Sequence, residues 1–104
     1  VEDVFQVIAE PNRRRIIELL VDGELPVGAL VDALDVSQPA VSKHLRVLRD
    51  AGLVEVRIDK NRRVYRLRAE PFQELDVWLT PYRKLWDRRL DDLGAHLDRM
   101  GDLE

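Results

Sequence analysis

Residues 37–53, SQPAVSKHLRVLRDAGL, decide how the rest of the chain is read. Ser37 is a good helix N-cap, because its hydroxyl can accept from an otherwise unpaired amide of the first turn. Pro39 falls inside that turn, where a missing N–H costs little. Val41, Leu45 and Leu48 recur at helical spacing and predict a buried face, while Pro39, Ser42, Lys43 and Arg46 share the opposite face. Gly52 predicts a left-handed cap that ends the helix, with Leu53 folding back on the last turn. A helix over 37–51, half apolar and half serine, lysine and arginine, with its amide-rich end free, suits insertion into a DNA major groove. Phosphates favour a helix N-terminus, and short polar side chains there reach base edges. Without DNA the same pattern is an amphipathic helix with a solvated basic face.

Upstream, Val4, Phe5 and Ile8 share one face with Val1 and predict a first helix over 1–9, interrupted by Glu10 and Pro11. Asn12 is the expected cap of a second helix over 13–22, which buries Ile16, Ile17, Leu19 and Leu20 and stops at Gly23. Arg13, Arg14 and Arg15 begin it, where the helix dipole does not favour cations. They read either as a solvated run or as a phosphate contact. Leu25 and Pro26 form a brief extended piece. A third helix over 27–34 turns Val27, Leu30, Val31 and Leu34 inward. Only Asp35 and Val36 separate it from Ser37, so the two helices make a helix-turn-helix. Asp35 is the residue expected to take the turn's left-handed angles.

Downstream the period changes to two. Val54, Val56 and Ile58 alternate with Glu55 and Arg57, and Tyr65 and Leu67 alternate with Val64, Arg66 and Arg68. This predicts a hairpin whose polar tip carries Lys60, Arg62 and Arg63, with Asn61 supplying a positive φ. A basic hairpin directly after such a helix makes a winged helix-turn-helix. Glu70 and Pro71 end the wing. An apolar stripe of helical spacing follows: Phe72, Leu75, Trp78, Leu79, Tyr82, Leu85, Trp86, Leu90, Leu93, Leu97 and Met100. Thr80 and Pro81 should kink this helix or restart it. So small a domain has little interior left for the stripe. Its destination is either a second copy of the chain or the chain's own core. The expected architecture is mainly α with a small β-hairpin: one domain over 1–104, a core over 11–69, and terminal helices over 1–9 and 71–100 forming a dimer interface.

The chain has 104 residues and a formal net charge of −3, which by itself argues against a nucleic-acid binder, but the charge is unevenly distributed. Residues 1–36 carry a net −5, residues 37–68 a net +6 and residues 69–104 a net −4. All the positive excess lies on the helix-turn-helix and wing, and a patch can act locally because charges are screened beyond ~8 Å at physiological salt. The absence of cysteine excludes disulfides and thiolate metal sites. No apolar run approaches the ~20 residues of a membrane span and no signal peptide is visible, so a cytoplasmic protein without a membrane partner is expected.

These segments together resemble the ArsR-type winged-helix transcriptional regulators of bacteria and archaea. The resemblance is carried by PNRRRIIELL, by ELPVGALVDALDVSQPAVSKHLRVLRDAGLV and by RVYRL, with VSQPAVSKHLRVLRDAGLV the most characteristic part. The tail WLTPYRKLWDRRLDDLGAHL is similar to the C-terminal dimerisation helix of a metal-independent branch. The resemblance implies a homodimer whose first and last helices pack across the two-fold axis, and a helix at 37–51 that reads an operator, usually the regulator's own. It implies base contacts from Gln38, Ser42 and Lys43, with His44, Arg46, Arg62 and Arg63 nearby. Two departures from the family stand out. Pro26 and Gly28 occupy the positions where metal-sensing members carry cysteines. The last helix has one histidine, His96, with Asp92 a turn earlier, where other members pair histidines with carboxylates.

The sequence-level expectation is a homodimeric repressor of double-stranded DNA with no metal or other cofactor and with its effector unidentified. Its DNA contacts are expected from Ser37, Gln38, Pro39, Ala40, Ser42, Lys43, His44 and Arg46 on the helix and Lys60, Asn61, Arg62 and Arg63 on the wing. Its subunit interface is expected from Val4, Phe5, Ile8, Phe72, Leu75, Leu79, Tyr82, Leu85, Trp86, Leu90, Leu93 and Leu97. A winged-helix module for protein association, without an operator, is the alternative. An enzyme is not expected. The serines Ser37 and Ser42 lie on the reading helix, neither histidine has an evident carboxylate partner in sequence, and no Gly-rich phosphate loop is present.

Overall fold

Ile16, Leu30, Val41, Leu45, Leu48, Leu53 and Val54 are fully buried and form the centre of the molecule. Each such side chain contributes roughly 1.5–3 kcal/mol through burial. The computed structural model describes residues 2–102, with side chains from residue 3 to residue 99; Val1 and the side chain of Met100 lie outside the described residues. The elements in order are α1 (Glu2–Ile8), α2 (Pro11–Leu20), β1 (Leu25–Pro26), α3 (Val27–Leu34), α4 (Gln38–Asp50), β2 (Val54–Asp59), β3 (Arg62–Leu67) and α5 (Ala69–Asp102). The chain divides into two compact units, Val1–Gln73 and Glu74–Glu104. The first holds the whole core; the second is the distal part of α5.

The reading helix α4 is bounded as its sequence requires. The Ser37 hydroxyl accepts from the Ala40 amide at 3.3 Å, and Val41, Leu45 and Leu48 are buried. At the other end Gly52 has φ +80°, its amide donates to Arg49 O at 3.0 Å, and the Leu53 amide donates to Leu48 O at 3.0 Å. This paired capping satisfies two carbonyls and drops Leu53 into the core. Asp35 takes the left-handed conformation, φ 55° and ψ 38°, and so turns the chain from α3 into α4. Both helices of the motif are therefore held at the ends that matter for their crossing.

Several expectations are corrected. Asn12 does not cap α2. Glu10 does, accepting from the Arg13 amide at 2.8 Å, because Pro11 is fixed in a helical φ and starts the helix earlier. Val7 joins Val4 in the core, whereas Phe5 stays exposed. The wing is not an isolated hairpin: Leu25 and Pro26 pair with β3 at Tyr65 and Val64, giving a three-stranded antiparallel sheet of order β1-β3-β2. With neighbours on both sides, Val64 is buried as well as Tyr65, and strict alternation fails at the central strand. The turn is the dipeptide Lys60 and Asn61, and Lys60, not Asn61, has the positive φ, 57°. Arg62 and Arg63 accordingly lie on β3 and not in the tip. Finally, α5 runs unbroken through Pro81, and the Thr80 hydroxyl donates to Asp76 O at 3.1 Å within the same turn.

Candidate nucleic-acid interface

The turn through Gly52 sends β2 away from the end of α4, and the hairpin then returns its basic residues alongside that helix. A cleft of about 660 Å³ opens between them, lined on the helix side by Gln38, Ser42, Arg46, Arg49 and Asp50 and on the wing side by Asn61, Arg62, Arg63 and Tyr65. Val27 and Gly28, at the start of α3, complete its wall. Gln38, Ser42, Arg46 and Arg49 form one stripe at helical spacing, four, four and three residues apart. The sequence alone groups Ser42 and Arg46 with Pro39 and Lys43 and gives no reason to single out Arg49. The spacing of Arg49 is visible there; only the position of the wing shows which stripe it completes.

Six of the expected DNA-contact residues thus share one cleft: Gln38, Ser42, Arg46, Asn61, Arg62 and Arg63. Ser37 is exposed, and its hydroxyl is used to cap the helix. Pro39 and Lys43 are exposed on α4 outside the cleft lining, Ala40 is half-buried, and Lys60 is exposed at the turn. His44 is placed differently. Its Nδ1 is buried without a hydrogen-bond partner and lies 3.8 Å from Oε2 of Glu10, so the ring turns towards the start of α2. An acidic neighbour that sequence distance hides is supplied by the fold.

Exposed ion pairs link the strands of the wing. Arg57 of β2 donates from Nε to Glu24 at 3.0 Å and makes a second, shorter contact from Nη2, so a carboxylate at the start of β1 reaches across the central strand. The hydrogen bonds from Arg57 hold the Glu24 carboxyl below the ordinary carboxylate range, against the opposing effect of desolvation, with lesser help from the charges of Arg57 and Arg66. The same contact raises Arg57. Glu55 and Arg66, directly opposite in register, form another pair on this sheet. Arg62 lies 3.4 Å from Asp59. No ion-pair partner is found for Arg46, Arg49 or Arg63 among the described residues.

The arginine run at the start of α2 has a third role, which neither reading of the sequence contains. Arg13 Nε donates to Val7 O at 2.6 Å, and Arg14 Nη1 donates to Ile8 O and Ala9 O at 2.8 and 2.9 Å. These cations satisfy carbonyls at the end of α1, where the helix dipole favours them. Arg15 remains exposed.

On α5, Trp78, Leu79, Tyr82, Leu85, Trp86, Leu90, Leu93 and Leu97 are between 37 and 65 % exposed. The rings of Trp78 and Tyr82 contact each other with centroids 4.7 Å apart and planes tilted by 38°. Phe72 packs against the core and Leu75 is half-buried. Of the α1 residues expected at an interface, Val4 is only 6 % exposed and belongs to the core, Ile8 packs on its edge and Phe5 is exposed. Among the described residues no group of three or more potential metal-ligating side chains gathers, and no helix is long and apolar enough to cross a membrane.

Residues 10–56 match the family described as bacterial regulatory protein, arsR family. The chain is also 41 % identical to the HTH-type transcriptional regulator Rv2034 of Mycobacterium tuberculosis, over 94 % of this chain and 89 % of that protein. The chain belongs to the ArsR family. It is also similar to the transcriptional repressor SdpR of Bacillus subtilis, 27 % identical over 85 % of this chain and 98 % of that protein. The crystal structure of the transcriptional repressor BigR from Xylella fastidiosa is similar at TM-score 0.64 and 32 % identity, covering 78 % of this chain and 84 % of that one. The matched span, 10–56, begins at the Glu10 cap and ends in β2. It contains the helix-turn-helix entire but stops short of the basic side of the wing and of α5, the parts whose roles the geometry must support.

Proposed function

We propose that this ArsR-family chain is a sequence-specific transcriptional repressor that binds an inverted-repeat operator as a homodimer. The observation that carries the reading is the cleft in which Gln38, Ser42, Arg46 and Arg49 of α4 face Asn61, Arg62 and Arg63 of the wing. A helix with short polar groups at its N-terminal end and guanidinium groups beyond it can place amide and hydroxyl groups on base edges while the wing holds the backbone. Gln38 is suited to adenine, and Lys43, exposed near the helix start, to guanine. The arginines carry affinity common to all sequences, because they replace counterions on phosphates.

The dimer rests on α5. A helix with Leu85, Trp86, Leu90, Leu93 and Leu97 each roughly half exposed presents more apolar surface than a lone chain normally leaves in water. A second copy packed along the same stripe covers it symmetrically. Two reading helices then meet successive major-groove faces, ~34 Å apart along the duplex. Repression follows from occupancy, since a dimer over a promoter blocks polymerase. The test is a gel shift on the DNA upstream of the chain's own gene together with sedimentation of the free protein. A dimer that retards this DNA, and a Leu90→Lys variant that sediments as a monomer and binds it weakly, are expected. A monomeric wild-type chain at micromolar concentration refutes the dimer; a chain that retards no DNA refutes the operator.

A further inference from the structure

We propose that Ile58 is an apolar prong of the wing that enters the minor groove of the operator between Lys60 and Arg63 and gives the protein a preference for A·T pairs at that place. The inference rests on the DNA-binding reading and deepens it. Ile58 is 75 % exposed, more than any other large apolar side chain among the described residues. Its row on the sheet begins in the core. Val54 is buried opposite Leu67, and Val56 packs on the core opposite buried Tyr65. Ile58 is the next member of that row, opposite Arg63, and stands out in solvent. Residues directly opposite in an antiparallel pair share one face of the sheet. Ile58 therefore lies on the face from which Arg63 lines the cleft beside α4. Lys60 follows it two residues later, exposed at the turn.

Packing within the chain gives no reason for an isoleucine there. β2 is an end strand of the sheet, a place where charged side chains protect against pairing with another chain. The other face of β2 follows that rule: Glu55, Arg57 and Asp59 are paired with Arg66, Glu24 and Arg62. The face towards the cleft departs from it at Ile58. A duplex offers partners for both kinds of side chain found there. The minor groove is ~6 Å wide, with apolar deoxyribose walls and phosphates along its rims. Ile58 meets the walls while Lys60 and Arg63 meet the rims, a use that apolar side chains have in minor-groove binding generally. A β-branched side chain is stiff at χ1, so insertion costs it little rotamer freedom. The preference follows from the groove floor. A·T pairs present acceptors there, whereas a G·C pair adds the guanine amino group. Ile58 has no acceptor for that donor, which insertion would strip of water and leave unpaired. Runs of A·T pairs also narrow the groove, which brings the walls onto the side chain and strengthens the potential that attracts the two cations.

The experiment uses the full chain and a duplex that the wild type selects from random DNA. At the pairs adjoining the motif read by α4, A·T is exchanged for G·C and for inosine·cytosine. Dissociation constants are measured for wild type and Ile58→Thr. Inosine keeps the major-groove edge of guanine and lacks its minor-groove amino group. Wild type should bind the G·C duplex about tenfold more weakly, within the range of one unfavourable base pair, and should recover on the inosine·cytosine duplex. Ile58→Thr keeps a β-branched strand former and should cut that discrimination to about twofold or less. Its melting temperature should stay at the wild-type value, because the side chain it replaces is exposed. Its slope of log K against log salt should also stay, because no phosphate contact is removed. A wild type without the A·T preference, an inosine·cytosine duplex bound as weakly as G·C, or an Ile58→Thr that keeps the full preference overturns the proposal; the first two need no variant. A free Ile58→Thr chain that sediments differently from wild type would place a second copy on this side chain and overturns it as well. A wild type that selects no duplex overturns the DNA-binding reading itself.

Discussion

Replacing Arg62 and Arg63 together by alanine isolates the wing from the reading helix. The structure sets what the fold should lose. Arg62 is 3.4 Å from Asp59, with the two side chains 66 and 37 % exposed, and Arg63 has no ion-pair partner among the described residues. An exposed pair of this kind contributes at most about 0.5–1 kcal/mol. The melting temperature should therefore move by no more than about 4–8 °C. The DNA term is larger and has a distinct signature. Each arginine that neutralises a phosphate adds about 0.9 to the slope of log K against log salt, so the pair accounts for about 1.8 per wing. Over a fourfold rise in salt, a wild-type wing should then lose about twelvefold more affinity than the variant wing. Fluorescence anisotropy at low and at fourfold higher salt measures this directly, on the preferred duplex and on an unrelated one. Both duplexes should weaken alike, because phosphates carry no sequence. An unchanged slope, with folding intact, refutes the wing as a backbone contact.

Other substitutions test separate steps of the same argument. Gln38→Ala should change the sequence recovered by selection from random DNA, since it removes a group suited to a base edge; recovery of the parent motif would show that Gln38 does not read bases. Gly52→Ala should lower the melting temperature by about 4–8 °C, because φ +80° is strained for alanine by roughly 1–2 kcal/mol, partly offset by a less flexible unfolded chain. The added Cβ would meet Arg68 Nη1 at 3.6 Å, an ordinary contact, so an unchanged melting temperature would mean that the turn relaxes freely. Glu24→Gln tests the sheet bridge by pH. The carboxyl lies below its ordinary value of 4.5 in the fold, so its stabilisation is complete above that pH and is lost as the pH falls through the lower folded value. Thermal scans should show wild type more stable than E24Q at neutral pH and the gap closing below pH 4.5; a gap that persists unchanged into strong acid contradicts the assignment.

The elements and their limits are written locally. Ser37, Asp35 and Gly52 act through their own backbone neighbours, so capping and turn chemistry can be read without knowing what surrounds them. The buried face of α4 follows from spacing alone, since a 3.6-residue period commits one side of a helix wherever it packs. The local charge excess on residues 37–68 is equally plain in the sequence. Other features depend on segments far apart in the chain. That Leu25 and Pro26 become the third strand depends on the distant partner Tyr65, and it is this pairing that buries Val64 against the alternation. That Arg49 faces the wing depends on where the hairpin returns. His44 and Glu10 are far apart in sequence and become neighbours only once α4 has packed on α2. Periodicity and capping are properties of a few consecutive residues, whereas which polar group meets which is decided by packing elements whose separation along the chain leaves no mark on either segment.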